Sequence, residues 1–190
     1  GKPLRVEWDD DADGFRESVS LYRNSEIHLQ TKDSNRNGTP DVRIHFTGGK
    51  RRLMESDTNQ DGAFDTKQYY DENETIIRSE KDQNHDGKID LKVFHENGKP
   101  FKILEDRDHD GRFEITQWLQ KPEWSTVIEL DSNLDGKPEH RLFYRDQRLV
   151  MKQIDSNGDG IMDSEERYDD RERLIQSRED EGFTGRMNLT

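Results

Sequence analysis

A glycine preceded by an acidic or amide triad returns seven times along this chain, and so regular a recurrence leaves only repeat architectures open. The glycines are Gly14, Gly38, Gly62, Gly87, Gly111, Gly136 and Gly160, spaced by 24 or 25 residues. Ahead of them stand Asp9, Asp11 and Asp13; Asp33, Asn35 and Asn37; Asp57, Asn59 and Asp61; Asp82, Asn84 and Asp86; Asp106, Asp108 and Asp110; Asp131, Asn133 and Asp135; and Asp155, Asn157 and Asp159. Three residues beyond each glycine comes Glu17, Asp41, Asp65, Asp90, Glu114, Glu139 or Asp163. The pattern D-x-[DN]-x-[DN]-G-x-x-[DE] therefore organises residues 1–190 as a single domain of seven repeats. A degenerate copy beginning at Asp180, with Gly182 and Thr184 at its third and fifth positions, closes the array as a non-binding cap over about 178–190.

Oxygen-bearing side chains at alternate positions of a tight loop converge on one cation, and glycine at the sixth position permits the turn. With no cysteine in the chain, disulfides and thiolate metal sites are excluded, leaving hard cations with oxygen ligands. Two to four carboxylates per loop suit Ca2+, with its six to eight oxygen ligands, better than rigidly octahedral Mg2+. A solvated Asp/Asn/Gly turn would also use these residues, but requires neither three alternate oxygens nor an acid three beyond the glycine. About seven Ca2+ ions are expected, one per loop.

Composition points the same way. Only 27% of residues are hydrophobic and 38% are charged, too little apolar surface for a thick core, and the formal charge is −13. The loop positions hold 22 of the 43 acidic residues, so the acidity reads as ligand supply; seven divalent ions would bring −13 to +1. The acidic surface argues against nucleic acid and anionic membranes as partners, and no apolar run reaches transmembrane length. The opening Gly1-Lys2-Pro3 has no signal-like character and suits a mature or trimmed fragment, compatible with a lipid anchor or a larger parent protein outside it.

Between loops, stretches rich in β-branched and aromatic residues read as strands: Val42 to Phe46, Thr66 to Tyr70, Leu91 to His95, Ile115 to Leu119 and His140 to Tyr144. Polar turns such as Gly48-Gly49, Asn97-Gly98 and Asp146-Gln147 follow, and then second strands such as Arg52 to Met54, Phe101 to Leu104 and Leu149 to Met151. The expected fold is all-β: an elongated antiparallel β-hairpin repeat of about fourteen strands, a meander with the calcium loops along one edge. One residue per repeat, Tyr22, Phe46, Tyr70, His95, Leu119, Tyr144 and Tyr168, forms an aromatic-leaning column expected to stack on one face. Trp118 falls inside a strand, and Trp124, near Pro122 in the longest turn, is expected to be the exposed one.

The loops resemble the metal loop of EF-hand proteins and of relatives that carry it without two flanking helices, such as dockerins and thrombospondin type-three repeats. The hairpins are loosely similar to bacterial YD or MORN repeats, on Tyr70 to Glu74 and Phe94 to Gly98. The resemblance implies a bidentate Glu at the twelfth loop position; here Ser20, Ile44, Gln68, Val93, Gln117 and Leu142 occupy it, and only Glu166 matches. That departure counts against a helix-loop-helix sensor, leaves the ninth-position acid to complete the shell, and implies affinities of ~10⁻⁴ to 10⁻³ M, as in extracellular modules. The expected function is a calcium-stabilised structural or interaction repeat, secreted, periplasmic or at the cell surface, with an unknown protein or surface glycan partner. A calcium buffer or sensor and a dockerin-like partner-binding module rank below it. A calcium-dependent enzyme ranks lower still, because His28, His45, His85, His95, His109 and His140 are dispersed and no nucleophile motif accompanies them, so no catalytic residue is assigned.

Overall fold

The tightest reversals of this chain use paired positive backbone angles. Asn24-Ser25 (φ 51° and 73°), Gly48-Gly49 (58° and 72°) and Asp146-Gln147 (50° and 66°) each make the two-residue turn whose twist matches that of antiparallel strands. Longer reversals at Asp71 and Asp169 are closed by the aspartate itself: Asp71 Oδ1 accepts from Asn73 N and Thr75 N, and Asp169 Oδ1 from Arg171 N and Arg173 N. In these, Glu74 (φ 59°) and Glu172 (φ 56°) take the left-handed position.

The computed structural model describes residues 4–189; Gly1 to Pro3, and Thr190 at the end of the expected cap, lie outside the described residues. Two compact units, Gly1–Lys99 and Pro100–Thr190, divide the chain. The first carries β1 (Arg5–Trp8), β2 (Ser18–Arg23), β3 (Glu26–Lys32), β4 (Val42–Thr47), β5 (Lys50–Ser56), β6 (Thr66–Tyr70), β7 (Ile76–Lys81) and β8 (Leu91–Glu96). The second is built from β9 (Lys99–Glu105), β10 (Ile115–Leu119), β11 (Thr126–Leu130), β12 (His140–Arg145), β13 (Arg148–Ile154), β14 (Ser164–Tyr168), β15 (Leu174–Glu179) and β16 (Asn188–Leu189). Strand order is sequence order, every described pairing is antiparallel, and the sheet is not closed, so the all-β hairpin meander is as expected. The described strands number sixteen against the fourteen expected, because β1 precedes the first loop and β16 follows the degenerate eighth.

Within each unit the meander puts hairpin turns on one sheet edge and the Asp/Asn-rich loops on the other. One face of the first unit bears an alternating cross-strand row, Arg43, Glu55, Lys67, Glu80 and Lys92. The second unit has a related row, Glu129, Arg141, Gln153, Glu165 and Arg178. Opposite charges side by side favour this register over a slip that would bring like charges together. Next to the turns the register shifts by one residue at Leu21/Tyr22, His45/Phe46, Tyr69/Tyr70, Phe143/Tyr144 and Arg167/Tyr168. Each shift is a bulge that increases local twist, and each falls at a residue of the aromatic column.

Burial is inverted relative to an ordinary domain. Among the described residues the buried apolar side chains are Tyr70, Ile115, Val127 and Met151, while fifteen polar side chains are buried, thirteen of them carboxylates. Eleven of those carboxylates occupy the first or ninth position of a loop, counting Asp180, and Asp90 and Asp106 are the most enclosed, at 0% and 1% exposure.

Candidate metal centre

All seven loops are built by the same backbone bonds. The glycine N–H at position six donates to the position-one aspartate: Gly14 to Asp9 (2.8 Å), Gly38 to Asp33 (2.9 Å), Gly62 to Asp57 (2.8 Å), Gly87 to Asp82 (2.8 Å), Gly111 to Asp106 (2.7 Å), Gly136 to Asp131 (2.9 Å) and Gly160 to Asp155 (2.7 Å). These glycines sit at φ near +90°, for instance 95° at Gly62, which explains why no other residue type stands there. Position four is left-handed in every loop, from Ala12 (φ 63°) to Gly158 (φ 75°). The fifth-position oxygen accepts from the seventh N–H, as Asp61 does from Ala63 (2.8 Å) and Asn37 from Thr39 (2.7 Å).

The ninth-position acid closes each loop by accepting the second N–H: Asp10 to Glu17, Ser34 to Asp41, Thr58 to Asp65, Gln83 to Asp90, Arg107 to Glu114, Ser132 to Glu139 and Ser156 to Asp163. Adjacent loops are tied together as well. The first-position N–H donates to the preceding loop's ninth carbonyl, as from Asp33 to Glu17 (2.9 Å) and from Asp57 to Asp41 (2.8 Å) in the first unit, and from Asp131 to Glu114 (2.8 Å) in the second.

In two loops, positions one, three and nine bring carboxylates together: Asp9, Asp11 and Glu17, and Asp106, Asp108 and Glu114, each set with one oxygen per residue all within 4.8 Å of one another. These are the two loops with aspartate at position three; the other five carry asparagine there, so a carboxylate triad of this kind cannot form in them. In the second set, Asp106 gives one oxygen to Gly111 N and Asp108 one to Asp110 N (3.2 Å), while Glu114 takes Arg107 N (2.8 Å). The remaining oxygen of Asp106, Oδ1, is buried without a hydrogen-bond partner, and so are Asp41 Oδ1 and Asp131 Oδ1 in their loops. A buried carboxylate oxygen with no donor is costly unless a cation faces it. Three carboxylates around such an oxygen form an all-oxygen donor set that fits a hard divalent ion.

Other ligand-position residues are partly occupied by protein cations. Arg36 reaches back from the second loop to Asp11 (3.4 Å) and forms an ion pair with Asp13, and Arg112 grips Asp110 (2.5 Å). His85 is exposed with Nδ1 3.7 Å from Asp65, and His109 is half-buried. Burial pushes the Asp65 carboxyl up, but hydrogen bonds from Thr58 N and Oγ1, Thr66 Oγ1 and Asn59 N outweigh it and hold the group below its ordinary range. Asp155 is likewise opposed by burial and held low by the N–H groups of Gly160, Gly158, Asp159 and Asn157.

Glu166 lies in β14, where Oε2 accepts from the Tyr168 hydroxyl at 2.5 Å; that bond, burial and the negative charge push the tyrosine up to about 12. Its observed partner is therefore on the strand. In the eighth copy Asp180 Oδ2 accepts from Gly185 N (2.5 Å) and Arg186 N (2.9 Å), and Oδ1 from the Thr184 hydroxyl (3.2 Å), where Asp33, Asp57, Asp82 and Asp155 take the fourth-position N–H on Oδ1 instead. The position-two hydroxyls of Thr58 and Ser156, which bond Asp65 and Asp163 at 2.8 and 2.7 Å, carry no sequence signal beyond a preference for small polar residues.

No protein-family model and no curated protein matches the chain. Among solved structures, one similar chain comes from the crystal structure of accessory secretory protein 1, 2 and 3 in Streptococcus pneumoniae. It is 18% identical with a TM-score of 0.33, over 68% of this chain and 20% of that one, too distant to bear on fold or function. This chain thus spans about a fifth of that relative's length. No helix among the described residues is long and apolar enough to cross a membrane.

Proposed function

We propose that this chain is a calcium-stabilised repeat module, in which ions seated in the Asp/Asn-rich loops take over the cohesive role of an apolar core. The reading is carried by one observation, the thirteen buried carboxylates set against four buried apolar side chains. Ca2+ is proposed first at Asp106, Asp108 and Glu114 and at Asp9, Asp11 and Glu17, where carboxylates converge, and then, by shared loop construction, at the other five loops. There the first, third, fifth and ninth side chains would supply the ligands, with asparagine oxygens in place of the third carboxylate. The ion would neutralise carboxylates that otherwise repel one another, and the chain itself supplies the fixed loop geometry.

Sites lacking a bidentate acid at position twelve are weak, so the module would be loaded where calcium is millimolar, in an extracellular, periplasmic or cell-surface setting, as a spacer or a surface for a protein partner. At free calcium ten times the dissociation constant each site adds about 1.4 kcal/mol, so several sites together approach the stability of an ordinary domain. The test is thermal melting followed by circular dichroism in excess chelator, in millimolar calcium and in millimolar magnesium. A calcium-specific rise in melting temperature, with stepwise binding heats, is expected; superimposable curves would sink the proposal.

A further inference from the structure

The two loops that gather three carboxylates have the same acids at positions one, three, five and nine, yet the neighbouring loop brings different side chains to each. Beside Asp9, Asp11 and Glu17 runs the second loop, with Lys32 just ahead of its first position and Arg36 at its fourth. Beside Asp106, Asp108 and Glu114 runs the sixth, where the same two places hold Leu130 and Leu134. Lys32 Nζ donates to Asp10 Oδ2 at 2.8 Å; against desolvation, that bond and the charges of Asp10, Glu17 and Asp11 push the ammonium above its ordinary range. Arg36 Nη2 lies 3.4 Å from Asp11 Oδ2 and pairs with Asp13, and its guanidinium stands 5.5 Å over the Phe15 ring. The Arg36 N–H meanwhile donates to Asp33 Oδ1 (2.8 Å), so the backbone builds the second loop while the side chain serves the first. In the second unit Arg145 likewise lies over a ring, that of Trp124 (5.3 Å), which is half-buried and not the freely exposed contact the sequence suggested.

At the fifth loop, among the described residues, no side-chain cation forms an ion pair with Asp106, Asp108 or Glu114; Arg112 pairs with Asp110, outside the three. Asp106 Oδ1 stays buried without a donor. A divalent ion entering there meets carboxylates that no protein cation balances. At the first loop it meets carboxylates already balanced in part by two positive charges, which repel it and must move aside. Exposed ion pairs are weak, so the two cations delay the ion without excluding it.

We propose that Lys32 and Arg36 are internal competitors for the first metal loop, so that calcium fills the Asp106 loop at lower concentration and enters the Asp9 loop only as Arg36 leaves Asp11 and Asp13. This order of filling rests on the calcium reading of the loops, and it is set by the neighbouring loop's side chains, since the ligand acids of the two loops are the same. Calcium titration followed by proton–nitrogen NMR tests it, because the Gly14 N–H donates to Asp9 and the Gly111 N–H to Asp106, giving each loop its own reporter. The Gly111 resonance should reach its midpoint at about three- to tenfold lower calcium than that of Gly14, a factor in keeping with one or two exposed ion pairs. Arg36→Gln, which places there the residue type the third loop has as Gln60, should lower the Gly14 midpoint by about that factor and leave Gly111 unchanged. Adding Lys32→Gln should bring Gly14 close to Gly111, while Arg36→Lys, which keeps the charge, should stay within about twofold of the parent. Gly14 and Gly111 moving together in the parent, an unchanged Gly14 midpoint in Arg36→Gln, or Arg36→Lys behaving as Arg36→Gln would overturn the order of filling and leave the calcium reading standing. If neither glycine responds at millimolar calcium, the calcium reading itself falls, and the order of filling with it.

Discussion

Replacing Asp106 with asparagine should change stability in opposite directions with and without calcium. Asp106 is 1% exposed, its Oδ2 accepts from Gly111 N, its Oδ1 has no donor, and one of its oxygens lies within 4.8 Å of carboxylate oxygens of Asp108 and Glu114. At an effective dielectric of about 20, two charges 4.8 Å apart repel by roughly 3.5 kcal/mol; Asp108 is open to water, so about 1–2 kcal/mol of that should survive screening. Asparagine keeps an oxygen for Gly111 and presents an amide N–H₂ to Asp108 and Glu114, so in chelator the variant should gain about 1 kcal/mol. In calcium it loses one ligand charge and turns donors towards the ion. If the site empties, about 1.4 kcal/mol of binding stabilisation is lost at tenfold saturation while the gain of about 1 kcal/mol is kept, a net loss of about 0.4 kcal/mol. For a chain of this size that corresponds to melting shifts of roughly +2 to +4 °C in chelator and about −1 to −2 °C in calcium. Asp180→Asn, in the loop already satisfied by Thr184 and Gly185, is the control and should show no calcium dependence. Equal shifts for Asp106→Asn in both buffers, or the same inversion in Asp180→Asn, would refute the reasoning.

Further outcomes follow from the same geometry. Gly62→Ala meets no atom within 4 Å but forces a side chain to φ 95°, so it should lower stability by about 1–2 kcal/mol with or without calcium, as read by urea melts in both buffers. Asp65 is held below its ordinary range, so its contribution to stability is complete above the unfolded value near 4 and is lost as pH falls through the folded value; calcium-free melts should weaken from about pH 4 downwards, and Thr58→Val should move the Asp65 carboxyl resonance titration upwards. Glu74 Oε1 accepts from Arg51 N at 2.9 Å, so Glu74→Ala should cost about 0.5–1.5 kcal/mol and speed hydrogen exchange at the Arg51 amide, while Glu74→Gln preserves its protection.

The hairpins were legible because their signals are local. Thr66–Tyr70 and Ile115–Leu119 fall where β-branched and aromatic residues cluster, and Asn and Gly mark reversals that need positive φ. The second strands run longer than their apolar residues suggest, Lys50–Ser56 against Arg52 to Met54, because pairing to both neighbours orders polar residues that no hydrophobic pattern flags. The bulges opposite Tyr22, Phe46 and Tyr70 were hidden for a related reason: an extra residue in one strand is defined by its partner's register, which sequence periodicity does not encode. Loop positions one, three, five and nine could be counted from the sequence. That Arg36 would reach Asp11 and Asp13 depends on the lateral placement of adjacent loops.

The ninth position carries two roles that explain why an acid is kept there although the twelfth is free to vary. Its carboxylate accepts the second N–H of its own loop, and its carbonyl accepts the first N–H of the next, as Asp41 does from Ser34 and Asp57. In Asp41 the backbone thus engages Oδ2 and leaves Oδ1 buried without a donor, while in Asp65 the Thr58 and Thr66 hydroxyls take the second oxygen. Glu166, by contrast, projects from strand β14, where the Tyr168 hydroxyl has become its partner. A chain that places strands directly after each loop carries its twelfth residue into the sheet, so the acid that closes the site must come from inside the loop. In that arrangement, assembling a loop and docking it on its neighbour are one event, and an ion that orders one loop in a unit would also steady the next.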